Sequence, residues 1–231
     1  MFETYIRFFQ EGGFFMFPIA LVLVAGIVIM IERWLYLTVA KRANRSDFNE
    51  LHKMISNKDF KSALKFASQS KTAMASMIGA GLVRLGRQQP REEIEYAMEE
   101  GLLETMPRLE KRTQYLATLA NVATLLGLLG TIIGLIEAFS AVASADPSQK
   151  AALLSQSISV AMNTTAFGLI AAIPLLLVHS VLQTKTNEIV DSFEMAGIKF
   201  MNLLNDKDVA AVPVRSAPAA NADDMRPAPA V

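Results

Sequence analysis

The sequence TQYLATLANVATLLGLLGTIIGLI, residues 113–136, contains no charged side chain. Two similar charge-free runs flank it, at residues 14–31 and 151–184, with His179 counted as neutral. A helix needs roughly 20 apolar residues to cross a hydrocarbon layer about 30 Å thick. The three runs therefore predict an all-α, polytopic membrane protein with three transmembrane helices.

The composition supports a membrane protein and excludes several other classes. Of 231 residues 52% are hydrophobic, which exceeds the usual share in soluble domains. The 22 basic and 22 acidic residues cancel, so no overall field attracts nucleic acid. The chain has no cysteine, its two histidines lie far apart, and it contains no dinucleotide-binding, P-loop or serine-nucleophile motif. We therefore expect no enzyme, no catalytic residue, no metal site and no cofactor.

Basic residues in the connecting segments predict the orientation. Residues 38–115 hold 14 Lys and Arg residues, whereas the linker between the second and third runs holds only Lys150 and the N-terminal leader only Arg7. Loops rich in Lys and Arg stay on the cytoplasmic side. We therefore expect the large loop and the C-terminus in the cytoplasm and the N-terminus outside.

The same patterns predict the order of segments along the chain. They are an outer-face interfacial segment (1–13), transmembrane helix 1 (14–37), a cytoplasmic helical region (38–112), transmembrane helix 2 (113–143), transmembrane helix 3 (148–184), a cytoplasmic helix (185–208) and a disordered tail (209–231). Spans two and three should extend as helices into the cytoplasmic region. We also expect a helix start at Asp47, a kink near Pro107, and another helix start at Asp146 followed by Pro147.

Small and polar residues recur on one side of spans two and three. Span two carries Thr124, Gly127, Thr131, Gly134 and Ala138 at spacings of three and four, with Gly130 beside them; span three carries Ser157, Ala161, Thr164 or Thr165, Gly168 and Ala172. Such residues let helix backbones approach closely in lipid. The threonines either bond their own helix carbonyls and only pack, or they form a wettable pathway. We expect these faces to line a central bore, with span one toward the lipid.

The interior of every span lacks Asp, Glu, Lys and Arg. Glu137 comes closest, near the outer end of span two. Ion-coupling sites within a membrane usually contain such a group despite its cost. If this chain moves ions, another chain must supply the carboxylate.

Two motifs resemble a known family. The segment GLLGTIIG (127–134) followed by Glu137-Ala-Phe, and the segment TTAFGLIAAIP (164–174), are similar to the signature helices of the MotA/TolQ/ExbB proton channel family. The three-span plan and Glu32-Arg33 after span one resemble its ExbB/TolQ-like branch. The resemblance covers about residues 10 to 205.

The resemblance implies a pore-forming subunit of an ion-driven motor in the inner membrane of a Gram-negative bacterium. It implies a homopentamer around a single-span partner of the ExbD/TolR type, which supplies a membrane aspartate. A TonB-like protein is a further partner if the powered process is nutrient uptake. Proton flow would move that partner and power transport or envelope work across the periplasm. Thr131 and Thr165 match the motif threonines and would face the aspartate.

The candidate site residues follow from the spacing and the resemblance together. They are Thr131, Thr165, Thr164 and Asn163 for the ion pathway; Gly127, Gly130, Gly134, Gly168 and Pro174 for helix packing; and Glu137 for a charge at the outer mouth.

Three departures from the family pattern leave the ion open. Val160 stands where the branch commonly has a glutamate, Thr124 replaces a usual proline, and Thr164-Thr165 resembles the paired threonines of sodium-driven flagellar stators. The ion is thus H⁺ or Na⁺. A structural scaffold or transporter subunit without its own ion path is the alternative from another class. Nutrient uptake, envelope maintenance and surface motility all stay open as the powered process.

Overall fold

The computed structural model describes residues 13–209, and side chains through Leu204. The described residues form six helices and no strand: α1 (Met16–Ser56), α2 (Phe60–Gln69), α3 (Ala73–Gly86), α4 (Arg91–Glu110), α5 (Thr113–Ser144) and α6 (Lys150–Val209). Residues 1–12 and 210–231, which hold most of the predicted interfacial leader and tail, lie outside the described range.

Three helical stretches are long and apolar enough to cross a membrane. They are Met16–Ser56, Arg91–Ser144 and Lys150–Leu204. This confirms the predicted all-α polytopic membrane fold. At 1.5 Å per residue, the 41 residues of α1 extend over about 60 Å and the 60 residues of α6 over about 90 Å. Both helices are therefore much longer than a hydrocarbon core of about 30 Å, and each continues into the helical region beyond it.

The apolar half of the molecule is a bundle of α1, α5 and α6. The antiparallel pair α5–α6 makes the most extensive contact, and α1 packs against both of its members. α1 contributes Ile19, Val22 and Leu37 to the core. At Gly26 it comes so close to α6 that an added Cβ would lie 2.8 Å from Leu175 Cδ1.

The other half packs α2, α3 and α4 against the continuations of α1 and α6. Its core is built from apolar residues at helical spacing, among them Leu51, Ile55, Met74, Ile78, Leu82, Met98, Phe193 and Phe200. Asp59 caps α2 by accepting the Ser62 backbone N–H at 3.1 Å. Hydrogen bonds from Ser62 hold the pKa of the Asp59 carboxyl below its ordinary value.

Asp47 does not begin a helix, and that prediction is wrong. It lies inside α1, which continues without interruption to Ser56. Its carboxylate accepts hydrogen bonds from the hydroxyls of Ser70 and Thr72, the latter at 2.7 Å, just before α3. The capping-box pattern gave a wrong prediction because the Asp47 carboxylate makes a tertiary contact with the residues just before α3 instead of capping its own helix.

Helix α4 continues through Pro107, where the sequence predicts a kink, and ends a few residues later. Pro107 lies inside α4, and the chain breaks at Lys111 and Arg112, where Arg112 takes a left-handed φ of 66°. The predicted helix start at Asp146 also differs from the structure. α6 begins at Lys150, after a turn in which the Gln149 N–H donates to the Asp146 carbonyl at 2.9 Å.

A buried arginine fills the α4–α5 break. Arg33 of α1 is 4% exposed, and its guanidinium donates to the Leu109 carbonyl and, from Nε, to Thr113 Oγ1 at 3.2 Å. The last carbonyls of a helix have no partner within that helix. Arg33 satisfies one of them, and Arg112 adds an ion pair to Glu32 at 2.6 and 2.8 Å.

We expect Arg33→Ala to destabilise the fold by about 1.5–3 kcal/mol, the range for hydrogen bonds to charged groups. The Leu109 carbonyl would then be buried without its donor. Thermal unfolding of the detergent-purified protein, followed by circular dichroism, measures the change. Arg42→Ala is the matched control, because Arg42 is exposed on the same helix and should change stability by less than about 0.5 kcal/mol. Equal effects of the two variants would contradict the capping role.

Candidate ion pathway at the α5–α6 contact

The backbones of α5 and α6 touch at the motif glycines. A Cβ on Gly168 would lie 2.7 Å from the Ala123 carbonyl oxygen and 3.1 Å from Gly127 Cα. A Cβ on Gly127 would lie 3.2 Å from Thr165 Cα. Distances under 3.0 Å do not occur for real Cβ atoms, and the atom facing Gly168 is rigid backbone. The contact thus requires glycine at position 168.

The same contact continues along the helix pair in antiparallel register. Gly130 faces the side chain of Thr164, which a Cβ would overlap, and a Cβ on Gly134 would lie 3.0 Å from the Ala161 Cβ. These glycines are covered by α6 of their own chain. The expectation that the small-residue faces line a central bore concerns an assembly of several chains and stays a prediction. Without a hydrophobic force between helices in lipid, close backbone packing is what holds the pair together.

The threonines of the two motifs lie around this contact and bond differently. Thr165 donates across the interface to the Gly127 carbonyl at 2.8 Å. Thr164 donates to the Val160 carbonyl of its own helix at 2.9 Å, and Thr124 to the Ala120 carbonyl at 3.1 Å. Thr131 donates to the Leu128 carbonyl at 2.6 Å. The Thr165 hydroxyl thus joins the two helices directly.

Accessibility separates the candidate pathway residues. Thr131 and Thr165 are half-buried at the edge of the contact, whereas Thr164 is only 2% exposed. Gly127 faces Thr165, and Thr131 follows Gly127 by four residues, so along α5 it lies about 6 Å beyond the level of Thr165. Asn163 is half-buried on α6, directly before Thr164 in the chain.

The remaining two sequence-predicted residues lie away from the glycine contact. Glu137 is exposed near the end of α5. Pro174 is exposed on α6, which continues through it from Lys150 to Val209. Neither residue is brought to the threonines.

The arrangement offers hydroxyl oxygens and no charge. A threonine hydroxyl has one proton to donate and two lone pairs that accept. With their protons directed to backbone carbonyls, Thr131 and Thr165 keep oxygen lone pairs for an incoming proton donor. The charge-free runs 113–136 and 151–184 supply no carboxylate. No group of three His, Cys, Asp or Glu side chains among residues 13–204 is placed to hold a metal ion.

Two alanines that the sequence pattern did not single out complete the contact. Ala120 and Ala123 are fully buried, and the Ala123 carbonyl is the atom nearest to Gly168. The series Ala120, Ala123, Gly127, Gly130 has the same spacing of three and four as the series through Thr124 and Thr131. Side-chain size would have pointed to the alanine series, because the smallest residues allow the closest approach.

Comparison with known proteins places these helices in one family. Residues 69–195, more than half of the chain, match the MotA/TolQ/ExbB proton channel family. A protein of Methanothermobacter thermautotrophicus named as an ExbB homolog is 28% identical over 196 residues, which are 84% of this chain and 68% of that protein. The Tol-Pal system protein TolQ of Haemophilus influenzae is 31% identical over 105 residues, 46% of each chain.

A shorter match is closer in sequence. The biopolymer transport protein exbB1 of Vibrio cholerae is 46% identical over 59 residues, 26% of each chain. The family match includes α5 and most of α6, the two helices that make the glycine contact. This protein therefore belongs to the MotA/TolQ/ExbB proton channel family, in its ExbB/TolQ-like branch.

Proposed function

We propose that this chain is the pore-forming subunit of a proton-driven motor in the inner membrane. Five copies surround the membrane helix of a single-span partner of the ExbD/TolR type, whose aspartate completes the pathway. Proton flow moves the partner, which powers transport or envelope work across the periplasm, with a TonB-like protein as a further component. The observation that carries the proposal is the half-buried Thr165 hydroxyl, bonded across the glycine contact between the charge-free runs 113–136 and 151–184.

The Thr165 hydroxyl is suited to exchange one hydrogen-bond acceptor for another. Hydrogen bonds between membrane helices contribute about 0.6 kcal/mol on average. A carboxylate accepts a hydrogen bond roughly twice as strongly as a neutral oxygen. An ionised aspartate beside Thr165 would therefore attract the hydroxyl away from the Gly127 carbonyl. Protonation of the aspartate would reverse the preference, because the carboxyl then donates and the threonine oxygen accepts.

Surfaces that the isolated chain leaves uncovered support the proposed assembly. The exposed face of α5 carries large apolar side chains on both sides of the threonines, among them Leu125, Leu128, Leu129, Ile132 and Ile136. Leu169, Ile170, Ile173 and Leu177 do the same on α6. In a pentamer these residues would pack against neighbouring subunits, and the threonines at the edge of the glycine contact would face the partner.

The proposed orientation places residues 38–112 and the C-terminus in the cytoplasm and the N-terminus in the periplasm. It is supported by the 14 Lys and Arg residues of segment 38–115. Trp34 and Tyr36 mark the cytoplasmic boundary on α1, where aromatic side chains favour the interface. Glu137 would then lie toward the periplasmic mouth.

Thr164 supports protons over sodium as the ion. Sodium coordination needs several oxygens, and the adjacent pair Thr164–Thr165 would supply two of them. Thr164 is buried against Gly130, however, and its hydroxyl donates to Val160. Of this pair only Thr165 has an accessible hydroxyl, which suffices for proton exchange but makes a poor cation shell.

We expect Thr131→Val and Thr165→Val to lower proton flux at least tenfold while the complex with the partner still assembles. Valine keeps the shape and removes the hydroxyl. Flux into liposomes loaded with a pH-sensitive dye, with partner co-purified, measures the effect. If a threonine only packs, its replacement by valine should cost about 0.6 kcal/mol, which corresponds to less than about a threefold change in flux.

Thr118→Val is the matched control for these two variants. Thr118 is an exposed threonine of α5 about three and a half helical turns before Thr131, so it lies on the opposite side of the helix. Its hydroxyl bonds its own helix at Gln114. Flux should stay unchanged in the control, and flux that stays normal in the valine variants at 131 and 165 would reject the pathway.

The unaltered protein and the variant Thr164→Ala together test which ion drives the proposed motor. We expect ion-driven work to continue when potassium replaces sodium, and to stop when an uncoupler abolishes the proton gradient. Thr164→Ala should keep proton dependence, because the removed hydroxyl is buried. Work that follows sodium and ignores the uncoupler would establish the sodium-driven alternative.

Native mass spectrometry of the detergent-purified protein should show a pentamer, since one chain alone cannot enclose a partner helix. The unaltered chain is measured with and without its partner. A stable monomer or dimer in both samples would favour the scaffold alternative over a motor.

A further inference from the structure

A cavity of about 760 Å³ lies where α1, the α2–α3 connection and α4 meet. This is within the range of about 300–1,000 Å³ typical of small-ligand sites. Its walls differ in character. Leu35 and Val39 of α1 form an apolar wall, while Lys71, Ser76 and Arg108 contribute polar groups opposite.

The apolar wall continues an exposed stripe on α1. The stripe repeats every three or four residues, and each member is more than half exposed: Leu21, Val24, Val28, Ile31, Leu35 and Val39. From Leu21 to Ile31, within the charge-free run, the helix rises about 15 Å, which is about half the thickness of a hydrocarbon core of about 30 Å. This stripe is therefore long enough to lie along lipid tails, and it ends in the cavity.

The polar wall carries an excess of positive charge. Lys71 and Arg108 are exposed, and neither has a hydrogen-bond or ion-pair partner within the described part of the chain. Glu104 is the single acidic residue among those that line the cavity, so the net charge of the lining is +1. Asp47 lies nearby but is not part of the lining, and it accepts hydrogen bonds from Ser70 and Thr72.

Both cations lie where the membrane surface is expected. Arg108 precedes by five residues the start of the charge-free run at Thr113. On α1 the charge-free run ends at Ile31, and Tyr36, which also lines the cavity, packs its ring under the Arg33 guanidinium at 4.8 Å. Basic pockets at this depth favour anionic lipid head groups.

We propose that this cavity binds the head group of an anionic glycerophospholipid. The phosphate lies between Lys71 and Arg108, with the Ser76 hydroxyl as a further donor, and the acyl chains follow the α1 stripe. Lipid is favoured over a second copy of the chain because the stripe leads from bilayer depth directly to the two cations. The inference goes beyond the proposed motor, since it needs only that α1 and α5 cross the bilayer.

The test compares lipid retention by the full chain and by the double variant Lys71→Gln, Arg108→Gln. Each protein is delipidated in detergent, titrated with phosphatidylglycerol or with phosphatidylcholine, and examined by native mass spectrometry. We expect affinity for phosphatidylglycerol to fall about fivefold for each lost cation, and affinity for phosphatidylcholine to change little. The double variant Lys65→Gln, Arg87→Gln removes two exposed cations outside the cavity and should leave both affinities unchanged.

Further measurements distinguish the lipid from other occupants of the cavity. Inorganic phosphate at equal concentration should not displace phosphatidylglycerol, because it cannot use the apolar stripe. Equal retention by the wild type and the Lys71, Arg108 variant would overturn the site, as would an equal loss in the control variant. A change of subunit number with lipid retention intact would instead assign the surface to a second copy of the chain. Unchanged thermal unfolding of both double variants would show that a change in lipid retention does not come from unfolding.

Discussion

The direct backbone contact between α5 and α6 governs the arrangement of the functional residues. In lipid, apolar side chains gain nothing by leaving their surroundings for one another, so two spans associate through close packing and hydrogen bonds. Gly168 against the Ala123 carbonyl allows the closest approach, and Gly127 brings its own carbonyl within 2.8 Å of the Thr165 hydroxyl. A larger residue at position 168 would move the two helices apart and break that bond. The interhelical contact therefore fixes both the register and the position of the hydroxyl.

A second constraint joins the membrane bundle to the helical region beside it. The chain breaks between α4 and α5, and such a break leaves carbonyl groups without partners. Arg33 satisfies one of these groups from the neighbouring helix, and the Glu32–Arg112 ion pair closes the same junction. Lys185 also lies over the Trp34 ring, 3.3 Å from its centroid, on the α6 side of α1. Charged groups thus concentrate at the end of the apolar bundle, where water and lipid head groups can solvate them.

The candidate pathway is polar without being charged, and the proposed function therefore assigns the carboxylate to a partner chain. Isolated charges in a span are costly, whereas hydroxyls that bond to backbone carbonyls cost little. The chain can therefore fold and insert with its threonines satisfied internally. Only a carboxylate from another chain would create a group that changes charge during transfer. Under the proposed function, this division between two chains fits the charge-free runs 113–136 and 151–184, which carry hydroxyls and no acid.

The sequence by itself determined the three spans, the all-α class and the family, because charge-free runs and the spacing of Gly and Thr are local properties of the chain. It also identified Gly127, Gly130, Gly134 and Gly168 as residues that allow close helix packing. It did not distinguish the Thr124 series from the Ala120 and Ala123 series, since both repeat at helical spacing. The tertiary structure decided that the glycines face their own chain's α6, and that Thr165 bonds across while Thr164 is buried. It also decided that the chain breaks at Lys111 and Arg112, beside the buried Arg33, while α4 continues through Pro107. These outcomes depend on which surfaces meet between segments that are far apart in the chain, and no local pattern encodes that choice.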